Sequence, residues 1–488
     1  MNQKKAIIIG CGIAGLATAI RLSAKGYKVT VYEKNSYPGG KLSHFEKEGF
    51  QFDAGPSLFT QPELVTELFT LCGENAETYF TYTRVKIACK YFFESGKVVN
   101  AYANPDEFAN EMSAKLGEDK NQVLSYLETS KRTYHHIGQI FLDYPVKKII
   151  SLPFDKIMQA LKATKLAFLF NSLADYNTKY FTKPETIQIF NRFATYNGSN
   201  PYKAPAMLSM IPHLEQNEGT FYPFGGMISI TNALYLLALK QNIDFVFNSK
   251  VTAINLEGKK VRSITVNDAE IQADLIVSNM DVYYTYKHLL NNGKKAGKII
   301  QQERSSSAII FYWGINTSFP QLDLHNIFFS EDYEKEFKAI FDKKELNEDP
   351  TIYINITSKM ENNQAPKGCE NWFVMVNAPH DTGQNWDELR KKCRTNVLNK
   401  LNRILKTDVA EYIQTEDFLD PAVIDSKTFS HTGSLYGTSS NSMFAAFLRH
   451  PNQSKAIDGL YFVGGSVHPG GGIPLCLRSA KIVSDLIQ

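Results

Sequence analysis

AIIIGCGIAGLATAIRLSAKGYKVTVYEK, residues Ala6–Lys34, decides the fold of this chain. Its apolar start, Ala6–Ile9, predicts a short strand that is buried on both faces. Helix-forming residues follow from Ala14 to Lys25, and Lys28–Tyr32 predicts a second strand. The stretch is therefore predicted to be a parallel β-α-β unit that begins a doubly wound α/β sheet of the Rossmann type.

The turn between this first strand and the helix carries glycines at a dinucleotide-binding spacing. Gly10, Gly12 and Gly15 permit a tight turn, close approach of a pyrophosphate and close helix packing, and Ala14 lies among them. Glu33 ends the second strand, where its carboxylate is placed to accept hydrogen bonds from the adenosine ribose hydroxyls. A glycine-rich turn with an unrelated surface glutamate is the alternative. We predict that these residues, with the adjacent Lys34, bind a dinucleotide.

A second glycine cluster near the other end of the chain identifies the dinucleotide as FAD. Residues 464–474, GGSVHPGGGIP, lead from a predicted strand at Leu460–Val463 into a helix. Such a loop gathers backbone N–H groups and a positive helix end, which would stabilise negative charge on a reduced flavin. A nicotinamide enzyme does not need this second cluster, whereas a long flavin dinucleotide does. The residues assigned to the cofactor here are Gly465, Gly472, Ile473 and Pro474.

Two further loops resemble phosphate and flavin contacts. Gly40 and Lys41 follow soon after Glu33, in a loop whose glycines let the backbone approach a ligand while the lysine faces phosphate. An ordinary turn is the alternative for this loop. The segment Asp53–Ser57 repeats the pattern, and we assign Gly55, Pro56 and Ser57 to the edge of the flavin.

Composition excludes several other classes of protein. The 488 residues carry 53 Lys and Arg against 50 Asp and Glu, a formal net charge of +3, so nucleic acid is not an expected partner. The six cysteines form no Cys-x-x-Cys pair, which predicts a reduced, cytoplasmic protein. Adjacent His135 and His136 would point about 100° apart on a helix and so would not share a metal ion. We therefore predict no metal site.

The chain divides into three predicted units. Residues 1–62, 216–290 and 431–488 form a discontinuous FAD-binding domain. Residues 63–215 are predicted to be a helical region that contacts substrate and membrane. Residues 291–430 carry alternating runs, such as Ser307–Trp313, that predict the sheet of a substrate domain.

These motifs together resemble the FAD-dependent carotenoid desaturases of the bacterial phytoene desaturase type, within the amine-oxidase-like flavoprotein fold. The likeness covers nearly the whole chain. It is carried by the N-terminal motif and by Asp53–Ser57, Tyr222–Met227, Asn279-x-Asp281 and His468–Pro474. The resemblance implies that these segments cradle FAD, that Asn279 contacts it, and that backbone near Val251 holds the adenine.

The resemblance also implies the reaction. Members of the family remove a hydride and a proton from adjacent carbons of a long polyene, and they use no universal acid or base. The sequence agrees, because it has no Gly-x-Ser-x-Gly elbow and no His-Glu-x-x-His motif. His468 is the one histidine that we assign as a catalytic candidate, with packing within its loop as the alternative.

A carotenoid substrate dissolved in membrane implies attachment of the protein to a membrane surface. Residues 147–170 mix apolar side chains with lysines, the composition of an interfacial helix, although a core helix with solvated lysines explains them equally well. The sequence contains no run of eighteen uninterrupted apolar residues, so no membrane-spanning helix is predicted. We expect a cytoplasmic protein peripherally bound to the membrane, with oxygen or a membrane quinone as the electron acceptor.

Two positions in the C-terminal loop favour one branch of the family. Phytoene desaturases of this type usually have a small residue such as alanine where this chain has Gly471, and glycine where it has Leu475. These departures, with the run Leu477–Lys481, resemble the branch that introduces the 3,4 double bond into 1-hydroxylated acyclic or monocyclic carotenoids. Phytoene desaturation to lycopene is the alternative. A flavin-free isoprenoid-binding escort protein and an amine oxidase are less favoured alternatives.

Overall fold

A five-stranded parallel sheet forms the centre of the nucleotide-binding part of the protein. The computed structural model describes residues 3–146, 148, 171–442, 445 and 449–487. The strands, in their order across the sheet, are Leu460–Phe462, Leu275–Ser278, Lys5–Ile9, Lys28–Tyr32 and Asp244–Val246. Every neighbouring pair is parallel. The predicted β-α-β unit is confirmed, and its first strand is central because its apolar residues are buried on both faces.

Helices cover the faces of this sheet. The helix Ile13–Ala24 packs against the final helix, Ile473–Leu486, and against Ile228–Lys240, so the two ends of the chain meet in one hydrophobic core. The strands Lys5–Ile9 and Leu275–Ser278 both end where a glycine or polar loop begins. Since ligands of doubly wound sheets bind at the carboxyl ends of the strands, this edge is where a site is expected.

A seven-stranded mixed sheet forms the second large unit. Its strands, in spatial order, are Ile413–Leu419, Ser307–Ile315, Glu370–Ala378, Ile352–Ile356, His325–Phe328, Ile87–Phe92 and Val98–Tyr102. All nine residues of Ser307–Ile315 are buried. One face packs against the helix Trp386–Leu405, and the other packs against Phe50 and Phe52. The second face therefore adjoins the loop that follows Asp53.

Two strands of this sheet lie inside residues 63–215, which the sequence predicts to be helical. Ile87–Phe92 and Val98–Tyr102 form a hairpin, and the first pairs in parallel with the distant His325–Phe328. Local periodicity does not reveal them, because both runs are short and of mixed burial, and the first gains its stability from that distant partner. The helices around them pack on an aromatic core that includes Phe108 and Tyr126. The division into three units stays a prediction.

The remaining elements are short. Three strands, Val251–Glu257, Lys260–Val266 and Ala269–Gln272, form an antiparallel sheet, and two pairs form ribbons: His44–Lys47 with Phe50–Asp53, and Tyr82–Arg84 with Phe221–Pro223. The other helices are Glu63–Leu71, Pro105–Leu116, Lys120–Thr133, Gln139–Asp143, Leu173–Tyr180, Pro184–Asn191, Val282–Tyr284, Gly293–Ile300, Tyr333–Lys338 and Pro421–Thr428. Single helical turns of the 3₁₀ or π type are Ala76–Thr78, Tyr134–Gly138, Arg192–Asn197, Ala206–Met210, His213–Glu218, Thr285–Leu289, Ala339–Lys343, Thr357–Lys359, Asn362–Gln364, Val409–Tyr412 and His431–Gly433.

Two predictions concern membranes. The predicted interfacial segment 147–170 lies, except for residue 148, outside the described residues. Within the described part of the chain, no helix has the length and apolar character needed to cross a bilayer.

Candidate functional site

The first glycine loop has the geometry of a phosphate cradle. Gly10 adopts φ +96°, and a Cβ on Gly15 would lie 2.2 Å from the carbonyl oxygen of Gly10, so both positions require glycine. Gly12 is the N-cap of Ile13–Ala24, and no side chain caps its free N–H groups. Ala14 is buried in the first turn of this helix. An uncapped helix start with its backbone exposed by glycine suits an anion.

Glu33 fixes the ribose end of this predicted site. Its carboxylate accepts hydrogen bonds from the backbone N–H of Cys11 at 2.7 Å and of Asn35 at 2.9 Å. These bonds orient the carboxylate and leave lone pairs for further donors. The backbone N–H of Ser249 donates to the carbonyl oxygen of Glu33 at 2.8 Å, which brings the buried Val251 close to the same end. The predicted ribose and adenine contacts are therefore neighbours.

The two predicted cofactor lysines have different surroundings. The ammonium of Lys34 lies 3.6 Å from the centre of the Phe429 ring and donates to a backbone carbonyl, so its charge is directed away from the first loop's glycines. Lys41 donates to the carbonyl oxygen of Leu435 at 3.2 Å. Burial lowers the pKa of Lys41, and the carboxylate of Asp281 opposes that shift. Of the two, Lys41 is the lysine that lies near the C-terminal part of the site.

The predicted phosphate turn packs directly on the first loop. The N–H of Gly39 donates to the carbonyl oxygen of Cys11 at 2.8 Å, and Gly39 forms an isolated parallel bridge with Gly12. Gly40 has φ +59°, and a Cβ there would lie 3.3 Å from the Cα of Gly12. The structure thus brings these two glycine segments, which are separate in the sequence, into contact.

Asn279 joins the first loop to the C-terminal loop. Its side-chain Nδ2 donates to the carbonyl oxygen of Gly10 at 3.3 Å. A Cβ on Gly12 would lie 2.8 Å from Nδ2, and a Cβ on Gly464 would lie 2.7 Å from Oδ1. The side chain therefore fills the space between the two glycine loops. Asn279 follows the strand Leu275–Ser278, and its contacts with both glycine loops explain why it belongs to the same predicted site.

Asp53 holds the next predicted loop in place. Its carboxylate accepts hydrogen bonds from the N–H groups of Met227 at 3.0 Å and Ile228 at 3.3 Å, at the start of the helix Ile228–Lys240. Burial raises the pKa of Asp53 to about 6. A Cβ on Gly55 would lie 2.1 Å from the carbonyl oxygen of Lys41, so the loop packs against the phosphate turn.

Ser57 belongs to a buried hydrogen-bond chain that the sequence does not predict. Its hydroxyl lies 2.9 Å from the hydroxyl of Tyr353, which lies 2.8 Å from Nδ1 of His325. Pro56 precedes it in a partly exposed turn. The contact between Ser57 and Tyr353 links two segments far apart in the chain, so no local signal reveals it.

The C-terminal loop presents a second uncapped helix start. Gly465 packs against Gly471, since a Cβ on Gly465 would lie 3.2 Å from the Cα of Gly471. Gly472 is the N-cap of the final helix, with φ +104°, and a Cβ there would face open space. Ile473 and Pro474 begin the helix, whose first turn has no acidic residue. The helix N-terminus is therefore open to a negatively charged group.

His468 is buried and uncharged at neutral pH. Its Nε2 lies 2.9 Å from the carbonyl oxygen of Tyr144, and burial lowers the pKa of its imidazole to about 4. It faces a cavity next to the C-terminal loop. A catalytic role for His468 stays a prediction, and a positively charged role for it at neutral pH does not fit these surroundings.

A buried ion pair beside the site escapes sequence reasoning. Arg304 and Asp281 lie 3.0 Å apart and each side chain is 6% exposed. Arg304 also donates to the hydroxyl of Ser434 at 3.3 Å. The motif places Asp281 in the site, but nothing in the sequence identifies its partner.

These features match an FAD molecule. There are two uncapped helix starts, and Asn279 joins the loop before the first of them to Gly464 in the C-terminal loop. The carboxylate of Glu33 stands at the ribose end. The glycines, Glu33 and Asn279 would hold the cofactor. Among residues 3–146, 171–442 and 449–487, no group of three His, Cys, Asp or Glu side chains is arranged to hold a metal ion.

Comparison with known proteins identifies the family. The signature of the family described as flavin containing amine oxidoreductase matches residues 13–488. A 1-hydroxycarotenoid 3,4-desaturase of Flavobacterium sp. (strain P99-3) is 52% identical over 487 residues, which cover 99% of each chain. A 4,4'-diaponeurosporene oxygenase of Staphylococcus haemolyticus is 32% identical over 100% of this chain and 98% of its own. The predicted resemblance is thereby confirmed.

The solved structures confirm the fold. A Methanosarcina mazei oxidoreductase superposes with a TM-score of 0.65 at 16% identity, covering 99% of this chain and 100% of its own. The sequence therefore predicts the amine-oxidase-like fold and the flavin correctly. The chain belongs to the flavin-containing amine oxidoreductase family, and FAD is its cofactor.

Proposed function

We propose that this chain introduces the 3,4 double bond into a 1-hydroxylated acyclic or monocyclic carotenoid. The observation that carries the proposal is the 52% identity, over 99% of both chains, to a protein named 1-hydroxycarotenoid 3,4-desaturase. The more distant oxygenase relatives reach 32% identity and also carry carotenoid names. The class of substrate is therefore shared between them, and the position of the reaction follows the more similar relative.

The surroundings of the site fit such a reaction. FAD, when bound, accepts a hydride from a substrate carbon. The open helix start at Gly472 would stabilise the negative charge that the cofactor gains. Leu208, Met210 and Leu475 are among the apolar residues in the wall of a small cavity next to the C-terminal loop. Burial lowers the pKa of His468 to about 4, so its imidazole is neutral at neutral pH.

Two parts of the proposal concern the surroundings of the enzyme. A carotenoid is dissolved in the bilayer, so we propose that the protein works as a cytoplasmic enzyme attached to the membrane surface. Oxygen or a membrane quinone is the proposed acceptor that reoxidises the flavin. Vesicle co-sedimentation tests the attachment, and reoxidation rates with oxygen or a quinone under anaerobic conditions separate the two acceptors.

Pigment chromatography tests the substrate. Cells that accumulate phytoene, lycopene or 1'-hydroxy-γ-carotene would express the chain or a Gly12→Ala variant that is impaired in binding FAD. We expect only the hydroxylated carotenoid to lose two hydrogens and gain one conjugated double bond. Conversion of phytoene would favour the desaturation that makes lycopene. A product that has gained oxygen would favour the chemistry of the oxygenase relatives. Purified protein without yellow flavin would favour an escort role, and peroxide release with an amine would favour an amine oxidase.

A further inference from the structure

A small cavity lies against the loop that precedes the final helix. Its volume is about 40 Å³, and Pro469 and Leu475, which flank the glycines 470–472, form part of its wall. Of the other eight wall residues, four are apolar and four are polar, and the four polar residues are called the polar corner. The polar corner consists of Asn197, Ser440, Arg449 and His468. Because this loop is the one assigned to the flavin, the corner lies beside the place of reaction.

Arg449 is a buried cation without a paired carboxylate among the described residues. Its side chain donates to the carbonyl oxygen of Tyr436 at 2.7 Å and to the hydroxyl of Ser440 at 3.3 Å. Its Nε makes no hydrogen bond with a described residue and lies 3.2 Å from the position that a Cβ on Gly470 would take. Burial lowers the pKa of the guanidinium to about 10.

Other buried arginines of the described chain have carboxylate partners. Arg192 pairs with Glu215 at 2.9 Å, and Arg304 pairs with Asp281 at 3.0 Å. A buried charge with spare donors is costly unless a ligand or a further partner satisfies it. Arg449 is therefore the polar group in this cavity that is best placed to serve a ligand.

His468 supplies the complementary acceptor. The carbonyl oxygen of Tyr144 can only accept, so the Nε2 that bonds to it must carry the ring proton. The neutral imidazole then keeps a lone pair on Nδ1, and no described residue donates to it. Arg449 donates and His468 Nδ1 accepts, which is the pair of contacts that one hydroxyl group satisfies and that a carboxylate, which only accepts, does not.

The proposed substrate carries its hydroxyl close to the carbons that react. This step rests on the proposed function. The hydroxyl oxygen on carbon 1 is three bonds of about 1.5 Å from carbon 3, so it lies within about 4 Å of a reacting carbon. A group that binds it must therefore stand beside the flavin and not at the distant end of a tunnel. We infer that Arg449 and His468 bind the carbon-1 hydroxyl and thereby set which carbons face the cofactor.

The test compares substrates that differ only at that hydroxyl. Purified enzyme would be given 1'-hydroxy-γ-carotene, its 1'-methyl ether, and 1',2'-dihydro-γ-carotene, which has hydrogen in place of the hydroxyl. Because hydrogen bonds to charged groups contribute about 1.5–3 kcal/mol, we expect kcat/KM to fall about 10- to 100-fold without the hydroxyl. The ether keeps the acceptor but cannot donate to His468, so an intermediate loss is expected.

The variants then assign this preference to Arg449. The preference is measured as the ratio of kcat/KM for the hydroxylated compound to kcat/KM for the dihydro compound. Arg449→Met should lose most of this ratio, and Arg449→Lys should keep part of it. Arg262→Met, which replaces an exposed arginine paired with Glu270 at 3.5 Å, is the matched control. Flavin absorbance verifies that each variant is loaded.

The outcomes separate the inference from the function on which it rests. A wild-type enzyme that converts the hydroxylated and dihydro compounds equally would overturn the hydroxyl site while the 3,4-desaturase function stands. An enzyme that converts neither would overturn both. A flavin-loaded Arg449→Met that loses activity on every substrate alike would also overturn the inference. If Arg449→Met does not fold, the wild-type substrate comparison and Arg449→Lys decide the matter.

Discussion

Replacing Gly12 with alanine should have two separate effects: it should crowd Asn279, and it should weaken FAD binding. Gly12 has an ordinary φ of −70°, so alanine is not strained by its backbone there. A Cβ would lie 2.8 Å from Nδ2 of Asn279, about 0.6 Å closer than an ordinary contact. It would also cover the backbone that must approach the pyrophosphate.

The first effect changes the stability of the protein, and the second changes the free energy of FAD binding. The crowding against Asn279 resembles overpacking of a core and should cost about 1–3 kcal/mol of stability in the protein without cofactor. Loss of close phosphate contact removes hydrogen bonds to a charged group, each of about 1.5–3 kcal/mol. We therefore expect the Kd for FAD to rise at least about 10- to 100-fold.

A double variant distinguishes them. Asn279→Ala removes the crowded atom but also a predicted cofactor contact, so it is the reference for the double variant. Relative to Asn279→Ala, adding Gly12→Ala should cost little further thermal stability but should still weaken FAD binding. Gly297→Ala is the control, because a Cβ there meets nothing within 4 Å. Melting of the apoprotein and quenching of flavin fluorescence give the two readouts. Wild-type FAD affinity in Gly12→Ala would refute the reasoning.

Three further predictions follow from the same site. Glu33→Gln keeps one acceptor oxygen of the two that bind backbone N–H groups, so FAD titration should show about tenfold weaker binding, and an unchanged Kd would contradict the ribose assignment. Asp53→Asn should lower the melting temperature at neutral pH, because the carboxylate accepts from two N–H groups at a helix start. Folding raises the pKa of Asp53 from 3.8 to about 6, so the folded protein binds more protons than the unfolded chain between these pH values. The free energy of unfolding of the wild type should therefore fall as pH rises from about 4 to 6. Denaturant unfolding of Asp53→Asn should lack this contribution to the pH dependence. Gly471→Ala would place a Cβ 2.8 Å from the Tyr436 ring, so the preference for the hydroxylated substrate should drop while flavin content stays near normal; an unchanged preference would show that Tyr436 does not position the polar corner.

The parallel sheet was predictable because its signals are local. Lys28–Tyr32 occupies the predicted residues, since a β-branched run that follows a glycine predicts a strand directly. Ile87–Phe92 was not predicted, because its place in the sheet depends on pairing with His325–Phe328, more than two hundred residues away. Contacts at such separations leave no periodic signal in one sequence.

The residues of the site also divide into those with a local signal in the sequence and those without one. The glycine loops and Glu33 belong to short motifs with a characteristic spacing, so these residues could be identified from the sequence. Arg449 could not, because its significance comes from what surrounds it: a wall of apolar side chains, a carbonyl of Tyr436, and the lack of a paired carboxylate among the described residues. An arginine in a sequence has no mark that separates such a position from a surface one.

The departures in the C-terminal loop acquire a physical meaning at this cavity. Gly471 leaves no room for a Cβ because Tyr436 packs against it, and the carbonyl oxygen of Tyr436 is the group that holds Arg449. Leu475 forms part of the wall of the same cavity. A methyl group at 471 would displace Tyr436 and hence the guanidinium, whereas a glycine at 475 would leave the wall open. The two residues that favoured the hydroxycarotenoid branch thus meet at one cavity: Gly471 makes room for Tyr436, whose carbonyl oxygen holds Arg449, and Leu475 forms part of the wall.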